Sequence, residues 1–137
     1  MKEIDLEELF RQALAAADRA YAPYSHFRVG AALLGDDGEV YLGCNVENRS
    51  FGLAICAERT AVVKAVSMGQ RSFRALAIAT PDSATPVGPC GACRQVLSEF
   101  MPPDAPVCFG GGQAIQVRTT MGELLPHDSL HDLAKNL

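Results

Sequence analysis

The sequence predicts an α/β protein, a three-layer α/β/α sandwich around a mixed sheet of about five strands. Helix-period and strand-period segments alternate along the chain in the order α-β-β-α-β-α-β-β-α. The run Ala75-Leu76-Ala77-Ile78-Ala79 shows almost no polar alternation, as expected of a strand buried on both faces. With 137 residues and no linker, repeat or low-complexity tract, the chain reads as one domain over 1–137.

Each element has a local reason. Asp5-Leu6-Glu7-Glu8 resembles a capping box, and Leu6, Leu9, Phe10, Ala13, Leu14 and Ala17 then recur at helical spacing. Pro23, within Tyr21–Tyr24, is expected to end that helix. Phe27–Leu34 and Glu39–Cys44 read as paired strands around the turn Gly35-Asp36-Asp37-Gly38. A second helix is expected over Cys56–Met68, closed by Gly69. Phe73–Ala79 is a buried strand, Thr80–Pro89 a loop, and Gly91–Phe100 a helix stopped by Pro102-Pro103. Val107–Phe109 and Ile115–Thr119 read as short strands around three glycines. Met121–Leu125 reads as a helical turn and Ser129–Leu137 as a terminal helix.

Composition narrows the function classes. A net charge of −4 argues against a nucleic-acid partner, which calls for a basic patch. The first residues lack the basic-then-apolar run of a signal peptide, and no apolar run approaches the roughly 20 residues of a membrane span. A cytoplasmic location is the expectation. Five cysteines in such a chain favour metal binding over a disulfide framework.

The chemistry concentrates in Cys56-Ala57-Glu58 and Pro89-Cys90-Gly91-Ala92-Cys93. Cys56, Cys90 and Cys93 offer three soft thiolate ligands for Zn²⁺, leaving a fourth tetrahedral position for water. Glu58, two residues from the first sulfur, is the candidate catalytic proton carrier. The combination is the three-cysteine variant of a zinc nucleobase deaminase signature. Cys56 and Glu58, at i and i+2, point apart in a regular helix. They share a pocket only where Cys56 stands at or before the first turn. The sequence therefore places the metal between two helix N-termini, near Cys56 and near Cys90. There the helix dipole lowers thiol pKa. Three thiolates leave the site with surplus negative charge, and Arg59 is the expected compensating cation, donating to sulfur. Cys44 and Cys108 read as small packed residues, and His26, His127 and His131 sit in no metal-ligand spacing.

Beyond the metal motif, the chain resembles the cytidine deaminase family in its short three-cysteine form. Tyr21-Ala22-Pro23-Tyr24-Ser25, Phe27 and Val29–Leu33 are similar to that family's opening segment. Gly43-Cys44-Asn45-Val46-Glu47-Asn48 resembles its sugar-binding motif, and Leu124-Leu125-Pro126 a late landmark. The resemblance implies hydrolysis of cytidine and deoxycytidine to uridine and deoxyuridine, with zinc as cofactor. It implies that Phe27 stacks on the pyrimidine and that Asn45 and Glu47 bind ribose hydroxyls. The Ala57 N–H would meet the base carbonyl. It also implies a homotetramer that shares active sites between subunits. The family commonly carries an aromatic residue after Leu-Leu-Pro; here His127, Asp128, Ser129 and Leu130 follow. His127 and Leu130 are the candidate substitutes. A related aminohydrolase acting on another cytosine-containing nucleoside, and a non-catalytic zinc-stabilised domain, are the other readings.

Overall fold

Asp5 opens the first helix: its carboxylate accepts from the Glu8 N–H at 3.1 Å, the capping contact expected of it. The computed structural model, which describes residues 3–128, carries this helix as α1, Leu6–Ala17. It ends earlier than Pro23 alone implies. Arg19 and Ala20 donate back to Ala16 and Ala17, and Tyr21 leaves to donate to the Asn45 carbonyl at 2.9 Å.

Five strands follow: β1 (Gly30–Gly35), β2 (Val40–Cys44), β3 (Phe73–Thr80), β4 (Pro106–Gly111) and β5 (Val117–Thr120). They form one sheet in the order β2-β1-β3-β4-β5. β1 is antiparallel to β2 and β3, β4 is parallel to β3, and β5 is antiparallel to β4. Helix α2 (Ala57–Ser67) precedes β3, and α3 (Gly91–Ser98) makes the crossover from β3 to β4. A short turn of helix, α4 (Met121–Leu124), follows β5. The expected mixed sheet between helical layers is therefore present.

Side-chain alternation along the strands assigns the layers. Ala32, Ala75, Ala77, Ala79 and Cys108 face Leu9, Phe10 and Ala13 of α1. Ala31, Leu33, Leu76, Ile78 and Val107 face the opposite layer, with Ala57, Ala61 and Val62 of α2 and Leu97 of α3. Both faces are covered, which is why β3 reads as a continuous apolar run.

Several boundaries differ from the sequence reading. β1 starts at Gly30 rather than Phe27 because the preceding backbone donors are taken by side chains. Arg28 N–H bonds Asp82 at 2.9 Å and Val29 N–H bonds Asn45 at 2.8 Å. β5 starts at Val117 because the Gln116 carboxamide turns back to accept from Gly111 N–H at 2.7 Å. Gly110 and Gly111 lie inside β4 rather than in a loop. A 3₁₀ turn at Phe51–Leu53 carries no pattern that the sequence reading used. The expected helix over 129–137 falls outside the described residues.

Two glycines set how closely the helices approach the sheet. A Cβ on Gly30 would stand 1.9 Å from the Ala13 carbonyl oxygen of α1. One on Gly43 would stand 2.4 Å from the Ala57 oxygen and 2.5 Å from the Ala61 nitrogen of α2. The obstacles are backbone atoms, so a methyl group can enter only by lifting the helix. At Gly43 the lifted turn is the one that begins at Cys56. Gly43→Ala should cost about 1–3 kcal/mol in chemical denaturation and weaken zinc retention by the folded protein. Unchanged stability and zinc content would show that α2 does not need this close approach.

Candidate active site

Helices α2 and α3 begin at cysteines. Cys56 is the N-cap of α2 and Cys90 the N-cap of α3, both with extended backbone and neither using its side chain to cap. Their thiols are therefore free to turn away from the helix. The first-turn N–H groups lack intrahelical acceptors and create positive potential at both ends. Cys93, one turn into α3, is fully buried. This is the arrangement expected from the i, i+2 and i, i+3 spacings.

The three sulfurs lie within 4.8 Å of one another, the one such cysteine, histidine or carboxylate group found among the described residues. Zn–S bonds of about 2.3 Å at tetrahedral angles hold sulfurs about 3.8 Å apart. The Cys56–Cys90 sulfur separation is 3.8 Å. The donor set and spacing fit zinc, and three thiolates leave one tetrahedral position open.

Electrostatics at the sulfurs depends on sharing. A hydrogen bond from Cys93 lowers the Cys56 thiol to about 5, assisted by Arg59 and Cys90. The same contact, with burial, pushes Cys93 up. The pair behaves as one acid that loses a first proton readily and a second with difficulty. Arg59 Nη2 donates to Cys56 Sγ at 3.4 Å, the role expected for it. Its Nε is buried without a hydrogen-bond partner. The guanidinium is thus committed to this anionic corner, and contact with Cys56 raises its own pKa further.

Glu58 lies in the first turn of α2 and is only 5% exposed. Burial pushes its carboxyl up to about 7, against the partly offsetting bond from its own backbone N–H. It faces a cavity of about 280 Å³. Cys56, Ala57, Glu58 and Cys90 form one end of this cavity, and Asn45, Glu47, Val29, Ile78, Thr80 and Val87 are among its walls.

Sequence reading found one end of the cavity and missed most of the apolar wall. Val29, Ile78 and Val87 belong to three different segments, with no shared motif to join them. Phe27 is half-buried on the strand approach and is not among the lining residues, whereas Val29 is. Asn45 and Glu47 do reach the cavity, and each also anchors the approach to β1. Asn45 accepts from Val29 N–H and donates to the Phe27 carbonyl, both at 2.8 Å. Glu47 accepts from the Tyr24 and Ser25 N–H groups and from the Ser25 hydroxyl. These bonds, the Ser25 hydroxyl first, hold its pKa below the usual carboxylate value.

The remaining sequence candidates lie elsewhere. Cys108 is buried in β4, as expected. Cys44 is partly exposed rather than a core residue; on edge strand β2, its thiol donates to the Arg19 carbonyl at 3.4 Å. His26 and His127 are exposed with φ near +58 and +57, in turns. Leu130 and His131 fall outside the described residues.

Comparison with known proteins agrees with this geometry. The family model for the cytidine and deoxycytidylate deaminase zinc-binding region matches residues 3–109. The chain is 50% identical over 123 residues to a cytidine deaminase of Sporosarcina psychrophila, covering 90% of each protein. It superposes on the crystal structure of cytidine deaminase from Burkholderia pseudomallei with a TM-score of 0.85 and 46% identity, over 90% of this chain and 98% of that one. The Mycobacterium tuberculosis cytidine deaminase structure gives a TM-score of 0.77 at 38% identity, over 91% and 97%. With a zinc-competent thiol trio, a buried glutamate and this fold, the chain belongs to the zinc-dependent cytidine and deoxycytidylate deaminase family.

Proposed function

We propose that this protein hydrolyses cytidine and deoxycytidine to uridine and deoxyuridine, releasing ammonia, as a step of pyrimidine salvage in the cytoplasm. The observation that carries the reading is Glu58. It is a buried carboxyl at the edge of three converging sulfurs, facing a cavity of about 280 Å³. Cys56, Cys90 and Cys93 hold zinc, which when bound supplies Lewis acidity and a water acidic enough to attack near neutral pH.

The chain's own groups do the rest. With its pKa raised to about 7, Glu58 can both accept and return a proton. Its carboxyl delivers one to ring nitrogen N3 of the base, then one to the departing amine. Loss of the 4-amino group as ammonia and gain of the carbonyl oxygen from water balance the reaction. The Ala57 N–H, at the helix start, donates to the base carbonyl. Asn45 and Glu47 take the ribose hydroxyls; stacking by Phe27 rests on the family resemblance alone, since Val29 rather than Phe27 lines the cavity. Arg59 keeps Cys56 ionised. The walls Val29, Ile78 and Val87 exclude water from the ring.

The assembly we propose is a homotetramer. Phe51 is 76% and Leu53 68% exposed, and Tyr24 packs edge-to-face on Phe51 at 5.8 Å. With Ile55 and Val87, also exposed, they bring apolar surface close to the cavity walls. Exposed apolar area of this kind marks an interaction surface. Among the described residues no helix is long and apolar enough to cross a membrane.

Ammonia release from the zinc-loaded protein across cytidine, deoxycytidine, cytosine and a blasticidin-type nucleoside tests the reading. Turnover of the first two is expected, and activity confined to the last would move the assignment to a different aminohydrolase. Glu58→Gln should retain zinc and lose about 10²–10⁴-fold in turnover, with thermal stability unchanged or raised because a buried carboxyl is gone. A variant with near-normal turnover would remove Glu58 from the reaction. In zinc-stripped protein, alkylation of Cys56 should titrate near pH 5. Arg59→Ala should move that midpoint upward, because losing a cation disfavours the thiolate. An unmoved midpoint would show that Arg59 does not stabilise the sulfur. Phe51→Asp should shift the sedimenting species to lower mass, and an unaltered mass would place the subunit contact elsewhere.

A further inference from the structure

The three sulfurs are not held equally. Cys93 is fully buried and Cys56 is half-buried against Arg59. Cys90 is exposed, and as an N-cap without a capping bond it has no side-chain anchor other than its neighbouring sulfurs. Its position must come from the backbone before it.

That backbone is gripped by Arg94. The Nε of Arg94 donates to the Pro89 carbonyl at 2.8 Å. Its Nη1 donates to the Leu124 carbonyl at 2.9 Å. Pro89 is buried, so its carbonyl has to find a protein partner. The Leu124 carbonyl belongs to the last residue of α4, where helix geometry leaves the acceptor open. One planar fork thus joins the peptide that leads into Cys90 to the end of α4, 30 residues away from Arg94 in sequence. A helical side chain leans toward its own N-terminus, which directs Arg94 back over the start of α3. Arg59 acts differently, because it donates to sulfur itself.

We propose that Arg94 is a positioning residue for the metal centre, setting the Pro89–Cys90 peptide against α4 so that the most exposed sulfur points into the site. The proposal rests on the zinc reading of the thiol trio and assigns a task within it. Without the fork the Pro89 carbonyl is left unpaired and the peptide plane can rotate, carrying the Cys90 Cβ with it. Cys56 and Cys93 keep their own supports. The loss should therefore fall first on Cys90.

Zinc release to a chromophoric chelator, combined with residue-resolved alkylation, tests this. Arg94→Met should weaken zinc affinity about 10–100-fold, the range seen when groups that orient metal ligands are removed, and speed zinc release accordingly. Cys90 should be alkylated ahead of Cys56 and Cys93, while buried Cys108 stays protected and reports an intact fold. Arg94→Lys should fall between, because one ammonium cannot hold two carbonyls in the geometry of the guanidinium. Release at the unaltered rate in Arg94→Met would overturn the proposal, and so would the same result in Arg94→Lys should the first variant not fold. Simultaneous exposure of Cys108 with the other thiols would also overturn it, by showing that Arg94 only supports the fold. If zinc fails to protect the cysteines of the unaltered protein, the metal reading itself falls and takes the proposal with it.

Discussion

The convergence of three sulfurs in a space smaller than 5 Å is the constraint to which the rest of this structure answers. Thiolates gathered that closely repel, and without a cation they cannot all ionise. The opposed shifts of Cys56 and Cys93 are the signature: one sulfur carries charge while the other keeps its proton and donates it. A divalent ion resolves the conflict, so metal affinity and proton release are coupled at this site. Two helix N-termini and one guanidinium contribute the permanent positive potential that makes the crowded arrangement tolerable. Neither element is large in energy alone, but both act within a helical turn or a hydrogen bond of the sulfurs.

Placing those helix starts is a packing problem solved on the sheet. The α1 face of the sheet is lined with alanines and bears Gly30, which lets α1 lie almost on the backbone. Gly43 does the same for the first turns of α2 on the other face. The segment after β2 is then stapled on two sides, Val46 pairing with both Tyr21 and Ile55. The chain is thereby delivered to Cys56 in extended form, as an N-cap requires. Gly43 thus helps to fix where Cys56 and Glu58 stand, because the turn it lets approach is the start of α2.

Local chemistry was legible in the sequence and long-range geometry was not. The metal-binding spacing is confined to stretches of three and five residues, and helix geometry requires Cys56 to stand at a helix start if it is to share a pocket with Glu58. The layer order followed from hydrophobic period and from the apolar run of β3. The start of β1 was misjudged because its upstream donors go to Asn45 and Asp82, 16 and 54 residues away. Periodicity carries no trace of such partners. The same holds for Val87 and Val29, which come to line one cavity only after the sheet is assembled. Arg94 shows the limit most clearly. Its identity and its place beside Cys93 were visible, but the two carbonyls that define its task lie five residues back and 30 residues ahead.

Asn45 and Glu47 line the cavity and brace the approach to β1, and the proposed function makes them binding groups as well. A carboxylate offers about four acceptor sites and a primary amide two acceptor and two donor sites. The Tyr24 and Ser25 amides and the Ser25 hydroxyl occupy three sites on Glu47, and Asn45 uses one acceptor and one donor on Val29 and Phe27. Each residue is therefore held in one orientation and retains capacity toward the cavity. A sugar hydroxyl that meets such a group finds it already ordered, so little rotamer entropy is lost on binding. The same bonds fix the approach to β1, so altering either residue disturbs the cavity wall as well as the contact. Under the proposed function, affinity for the sugar and the shape of the pocket depend on the same few hydrogen bonds, so a substitution at either position disturbs both.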